Sequence, residues 1–494
     1  MPWWSLAILV FGVNFTFWGT VGLTRLMSRV VSRVHPPKPP VYPDNVVAIR
    51  DDPAGRRARQ INLTVDDVAI LIPAHNEAAV IEDALHAIMK LVPLKNVHVI
   101  SDGSTDDTFE IALRVGARAL KTRRNVGKAG ALKEAIHRFK LVERFPVVML
   151  LDADTRVQPG YFDAALPLFD SLDVVAVAGC VRVDGSRMLS PVGNLLVGHR
   201  MRIYVIGQRI VKFGQTSRRL NATPIVPGFA SLYRTAVLPR IDMNPPGLAI
   251  EDFNMTFEVY QGGLGKVGFT LGAVAVTQDP DNFHDYIKQT KRWALGFWQT
   301  VRRHPPRLNL FTAMLTLTLI EVVTSCLLLL LVPGVLLILV MPDLVGGAGT
   351  WPVFGPVYAF VAAHMNLSRI LYGFGIPDLA MTVMVAAIER RPRLLLAAPF
   401  LPLVRVLDAA IGLYAIPQAW LAKSNGRWTS PARHEAPAAG QHRKIEEEQA
   451  AAAAIEAAAF GFAPPLAPAG LDPAGLDPAG LDPASLEGEQ HASG

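Results

Sequence analysis

The sequence predicts an α/β domain, a mainly parallel sheet with helices on its faces, set between apolar segments long enough to cross a membrane. Two patterns carry that prediction. Short apolar runs alternate with helical ones from Asp67 to about Asp279, and strongly hydrophobic stretches precede and follow that region. Composition agrees with it: 51% of the 494 residues are hydrophobic, only 18% are charged, and the mean hydropathy is +0.29. A water-soluble chain of this length seldom shows that balance.

The first element is the apolar stretch Trp3 to Met27, which lacks the basic start and small-residue cleavage site of a signal peptide and is long enough to span a bilayer. Arg25, Arg29, Arg33 and Lys38 lie at its end, and the positive-inside rule puts the following segment in the cytoplasm. A Pro- and Arg-rich stretch from His35 to Asn62 reads as a linker along the membrane surface. The net charge of +6 is read the same way, because Lys and Arg gather beside apolar segments where they meet lipid headgroups; a nucleic-acid partner is not expected.

The predicted strands VAILIP, VHVISD and VVMLLDAD are separated by the helical runs AAVIEDALHAIMK and TDDTFEIALRVG and by a helix from Gly127. Ligands of such sheets bind beyond the carboxyl ends of the strands. Glu77, Asp102, Asp152 and Asp154 stand at or just past those ends. Asp152 and Asp154 are alternate residues of an extended chain, so both carboxylates reach one spot and offer hard oxygen ligands to Mg²⁺ or Mn²⁺. Cys180 and Cys326 are the two cysteines, too few for a disulfide framework or a zinc site.

A mixed aromatic and basic helix is expected from about Phe283 to His304, followed by membrane segments at about 309–331, around 352–388 with a break, and about 394–421. Prolines, Pro333 and Pro342 among them, are expected to interrupt the runs. The cluster Glu389, Arg390, Arg391 and Arg393 should face the cytoplasm. The tail from Ser424 carries three copies of GLDPA between Gly470 and Ala484 and is expected to be disordered. The resulting divisions are 1–34, 35–66, 67–281, 282–304, 305–423 and 424–494.

PAHNE (Pro73 to Glu77), SDGSTDDT (Ser101 to Thr108), GKAGAL (Gly127 to Leu132), LLDAD (Leu150 to Asp154), AIEDFNMTF (Ala249 to Phe257) and QTKRW (Gln289 to Trp293) occur in one order. Together they resemble the membrane-bound family 2 glycosyltransferases of GT-A fold. QTKRW matches the Q-x-x-R-W signature of processive synthases such as those of cellulose, chitin, hyaluronan and poly-N-acetylglucosamine. GKAGAL is not a nucleotide-binding P-loop, since Thr122 and Ala129 stand where that loop needs Gly and Ser or Thr.

The resemblance implies a multi-pass membrane enzyme with a cytoplasmic catalytic domain. Its donor is a nucleotide sugar, usually UDP with glucose or N-acetylglucosamine, and its acceptor a growing polysaccharide or, alternatively, a lipid such as a polyprenyl phosphate or glycolipid. It implies Asp252 as catalytic base with Glu251 beside it, although Ile250 replaces the family's usual threonine. Donor binding falls to Glu77, Asp102, Lys128, Asp152, Gln289 and Arg292, metal binding to Asp152 and Asp154, and acceptor binding to Trp293 and Gly228, the last within the looser match VPGFASLYR. Gln289, Arg292 and Trp293 share one helix side, where the arginine would meet the leaving diphosphate and the indole a sugar.

Overall fold

The computed structural model of the chain describes residues 12–34, 62–184, 189–347, 349 and 351–421. The expected linker up to residue 61, which includes Lys38, and the GLDPA tail lie outside the described residues. Within them, helix α1 (Val13–Val34) precedes the sheet domain. Strand β1 (Val68–Ala74) is buried along its whole length, and its residues divide by parity. Val68, Ile70 and Ile72 pack into the core on one face, Ala69 and Leu71 into the core on the other. Alternation of side chains across the pleat makes this possible, and helices on both faces make it stable.

Helices α2 (Ile81–Met89), α3 (Thr108–Arg114) and α4 (Lys128–Arg138) connect β1 with β2 (Val97–Ser101), β3 (Arg118–Lys121) and β4 (Val147–Leu151). All their pairings are parallel, as the alternating pattern predicts. Next come β5 (Arg156–Val157), β6 (Val174–Val183), β7 (Ala230–Arg234) and β8 (Lys266–Thr277), giving the order β3-β2-β1-β4-β7-β6-β8-β5. The sheet is therefore mixed, because β7 runs antiparallel to both β4 and β6. That reversal departs from the parallel expectation and has a functional result: the start of β7 lies beside the end of β4.

Helix α5 (Pro191–Ile206) leads into a π-helical turn, Gly207–Lys212, and α6 (Asp252–Gln261) precedes β8. Helix α7 (Phe283–Arg303) is the expected aromatic and basic helix; the Asn282 side chain caps it by accepting from the Asp285 N–H at 3.0 Å. Three further helical stretches are long and apolar enough to cross a membrane: Leu310–Leu344, Leu367–Ile388 and Leu394–Leu421.

The first of these, α8, runs straight through Pro333 and Pro342, so the expected end near residue 331 is corrected to Leu344. An apolar environment forces backbone groups to bond within the helix, so the helix continues despite the N–H that each proline lacks and the carbonyl four residues earlier that its ring crowds. The expected break in the second stretch is present, with Asn366 capping a new helical turn through the Arg369 N–H at 2.8 Å. Its last helix is α9 (Ile376–Ile388), and α10 (Leu401–Leu421) completes the third stretch. Glu389 ion-pairs with Arg209 and Arg182 of the sheet domain, at 3.6 and 4.0 Å, so the turn after α9 lies against that domain.

Candidate functional site

Three loops converge where β4 ends. The Asp152 N–H donates to the Phe229 carbonyl at 2.9 Å, extending the β4–β7 pairing by one step and fixing Gly228 beside the carboxylates. Lys128 opens α4, and Glu251 immediately precedes α6, which Asp252 opens. Lys128 Nζ stands 2.7 Å from Asp152 Oδ1 and 3.0 Å from Glu251 Oε1. The Asp252 carboxylate accepts from the Phe253 N–H at 2.7 Å and from the Gly228 N–H at 3.3 Å. A Cβ on Gly228 would lie 2.9 Å from Lys128 Nζ and 3.1 Å from Glu251 Oε1, so the cluster closes around a residue without a side chain.

Electrostatics separates the two neighbouring acids of this cluster. Burial disfavours the charge of Glu251, but the attraction of Lys128 outweighs it and holds the pKa below the usual value; Arg292 acts in the same direction. Asp252 goes the other way. Burial first and the negative charge of Glu251 second push its pKa up to about 7, against the opposing pull of Lys128 and of the two N–H donors. Asp152 is also raised, by burial and by the like charge of Asp154, with Lys128 opposing. Lys128 is held above the ordinary lysine value, because Asp152 and Glu251 together overcome its desolvation. One carboxylate near pH 7 beside another that stays charged is the pattern of a base and its electrostatic partner.

The cluster faces a cavity of about 500 Å³. Lys128, Asp152, Asp154, Gly228, Glu251, Asp252, Gln289, Arg292 and Trp293 all line it, so most of the residues singled out in the sequence meet on one surface. Among the described residues no group of three His, Cys, Asp or Glu side chains is arranged to hold a metal; the protein offers the Asp152 and Asp154 pair.

Glu77 and Asp102 do not reach that surface. Asp102 is wholly buried: Oδ1 accepts from the Val126 N–H and the Thr122 hydroxyl at 2.9 and 3.0 Å, and Oδ2 from the Gly127 N–H at 2.9 Å. The Asp102 carboxylate thus grips the loop that seats Lys128. Glu77 is buried too, its N–H donating to the Thr108 hydroxyl at 2.9 Å.

The profile of a family described as "Glycosyltransferase like family 2" matches residues 66–296. Residues 66–296 are a family 2 glycosyltransferase domain. Over 245 residues the chain is 25% identical to an uncharacterised glycosyltransferase, YaiP, of Escherichia coli (strain K12), covering 47% of this chain and 57% of that one. Over 251 residues it is 23% identical to a poly-beta-1,6-N-acetyl-D-glucosamine synthase of Staphylococcus epidermidis, covering 48% and 58%. The chain thus spans just over half the length of these curated relatives. Among solved structures it is similar to a mannosyltransferase from Pyrobaculum calidifontis in complex with GDP-Man and Mn²⁺, with 17% identity, a TM-score of 0.42, and coverage of 80% of this chain and 99% of that one.

Several residues in or behind the wall of this cavity carry no motif. Asn14 of α1 and Thr318 of α8 line it and bond to each other at 2.9 Å, so helices outside the transferase domain form part of its wall. Arg200 of α5 is buried between two rings, its guanidinium carbon 4.4 Å from the Tyr286 centroid and 4.5 Å from that of Trp293; it also donates to Thr290 Oγ1 at 2.5 Å and Gln289 Oε1 at 3.4 Å. Lys212, at the end of the π-helical turn, also lines the cavity. A spacing signal fails for all of them, because each meets the site only through tertiary packing.

Proposed function

We propose that this protein is an inverting glycosyltransferase that carries a sugar from a nucleotide donor, UDP in our reading, to a growing polysaccharide at the cytoplasmic face of a membrane that it crosses several times. The observation that supports this best is the position of Asp252. Its carboxylate, with a pKa near 7, lines the cavity beside the Lys128–Asp152–Glu251 cluster, and the same cavity carries Arg292 and Trp293.

In this reading Asp252 takes the proton of the acceptor hydroxyl as its oxygen attacks the anomeric carbon, and the bond from that carbon to the diphosphate breaks. Lys128 and Arg292 face the negative charge that develops on the leaving diphosphate, a role of position and electrostatics. Glu251 keeps Lys128 in place and raises the basicity of Asp252. Trp293, held from behind by Arg200, offers its ring to an acceptor sugar.

Asp152 and Asp154 fit a divalent metal. They are two hard carboxylates on one wall, the charge of Asp152 penalised by that of Asp154, and Mg²⁺ takes one or two carboxylates and fills its shell with water and phosphate oxygens. When bound, Mg²⁺ or Mn²⁺ would supply positive charge to the diphosphate.

A lipid acceptor is the second reading, favoured by the apolar wall that Ile203, Val211, Ile225 and Phe253 build toward α1 and α8. A panel of UDP-sugars with Mg²⁺ or Mn²⁺, scored by UDP release and product size, tests both. A polymer supports the first and a single extractable glycolipid the second. Absence of metal-dependent UDP release with every sugar nucleotide would remove the transferase reading of this cavity.

A further inference from the structure

The cavity continues past the carboxylate cluster, and this arm carries a cation that the proposed reaction leaves unused. Lys212 closes the π-helical turn after α5, a backbone irregularity that often marks a functional position, and its side chain lines the cavity with only 9% of the residue exposed. Among the described residues no carboxylate ion-pairs with its ammonium and no acceptor bonds it; the Phe269 ring, 5.9 Å away, is its aromatic neighbour. Burial dominates its titration, pulling the pKa down to about 8 against the favourable charges of Cys180 and Asp252. A buried cation with no counter-ion is costly to a fold. In a structural role a methionine would fill the same space without that cost. Gln215 and Thr223, both buried, line the same cavity and offer hydrogen bonds, and Asn14 and Thr318 line it too.

We propose that Lys212, with Gln215 and Thr223, forms an anion-binding subsite in the acceptor arm of the cavity, so that the acceptor presents a negative group to Lys212 while its attacking oxygen, a sugar hydroxyl or a second oxygen of the same phosphate, meets Asp252. The anion supplies the counter-charge that the fold omits. Its chemistry is that of a phosphate or carboxylate, which a compact ammonium recognises as a point charge. Two sources carry such a group: a lipid monophosphate, whose chain would follow the apolar wall, and an acidic sugar of a polymer. The inference rests on the reading of this cavity as the acceptor route.

The test is direct binding to the full chain in phosphatidylcholine nanodiscs, so that it does not depend on turnover. Farnesyl monophosphate against farnesol, and glucuronate against glucose, are titrated by calorimetry into the wild type, Lys212→Gln and Lys212→Arg. The expected result is that one anion binds at least about tenfold tighter than its neutral counterpart, that Lys212→Gln abolishes the preference, and that Lys212→Arg retains it. The farnesyl pair identifies a lipid phosphate, the glucuronate pair an acidic sugar. Equal binding of both pairs by the wild type, or a preference that survives in Lys212→Gln, overturns the proposal. Removal of an uncompensated buried charge should leave the variant folded, and Lys212→Met is its shape-matched duplicate. UDP release by the wild type against Asp252→Asn tests the transferase reading separately.

Discussion

The acid limb of the reaction should belong to Asp252, and its position follows from the geometry of the cluster. A base works only when ionised. With a pKa of about 7, about half of Asp252 is ionised at pH 7, about a tenth at pH 6 and about a hundredth at pH 5. Log(kcat/KM) for the acceptor, at saturating donor and metal, should therefore fall by about one unit per pH unit below 7. The sign is fixed by the direction of the shift: a carboxylate raised toward neutrality loses its base function as pH falls through 7, where an ordinary aspartate would keep it to about pH 4.

Two variants separate the causes. Glu251→Gln removes the like charge that is second only to burial, so the limb should move to lower pH even though the lost anchor of Lys128 lowers the rate. Asp252→Asn should lower the rate by about 10²- to 10⁴-fold and flatten the remaining profile, while UDP still binds. Asp152 is the competing source of an acid limb, because its pKa is raised as well. Its protonation would act on donor and metal affinity, which saturation removes from the measurement. An acid limb that persists unshifted in both variants would refute the assignment of Asp252.

Further outcomes follow from other contacts. Gly228→Ala brings a methyl 2.9 Å from Lys128 Nζ, a flexible tip that can move, so thermal stability should hold while kcat drops by about 10- to 100-fold from misplacement of the cluster. Trp293→Ala should raise the acceptor KM by about tenfold with the donor KM unchanged, and Trp293→Phe should recover part of it; equal KM values in kinetic assays would refute the stacking role. Asp378 holds Arg202 through two bonds of 2.7 and 2.8 Å and also pairs with Arg405. Asp378→Ala strands those guanidinium groups and should destabilise by about 3–5 kcal/mol, read as a lowered thermal midpoint in detergent.

Much of the domain was legible because its signals are local. The strand runs are nearly pure apolar stretches buried on both faces, which periodicity reports directly, and LLDAD, GKAGAL and AIEDF each end or begin an element at the site. The direction of β7 was not legible. ASLYR reads the same in either direction, and its pairing with β4 is decided by the long excursion through α5 that returns the chain from the opposite end. The second task of Asp102 was not legible for a related reason: its carboxylate also accepts from the Val126 and Gly127 N–H groups of a neighbouring loop, a contact set by tertiary packing.

The N-terminal helix shows how a sequence signal can be incomplete in consequence. Arg25 reads as a topological charge at the end of an apolar segment. In the structure its guanidinium donates to the carbonyls of Phe213 and Phe269 at 2.7 and 3.2 Å, and to the Thr216 hydroxyl at 3.1 Å. Trp18, two turns earlier on the same helix face, is wholly buried, and a Cβ on Gly214 would lie 2.0 Å from its carbonyl oxygen, so α1 meets the domain backbone to backbone. An arginine that only set orientation would keep its charge in water. This one is bound to the segment that carries Lys212 and Gln215, and four helical residues before Trp18 the same helix brings Asn14 into the cavity wall. Any shift of α1 must therefore move this part of the cavity wall relative to Asp252, which makes the helix a structural part of the site and not a tether to it.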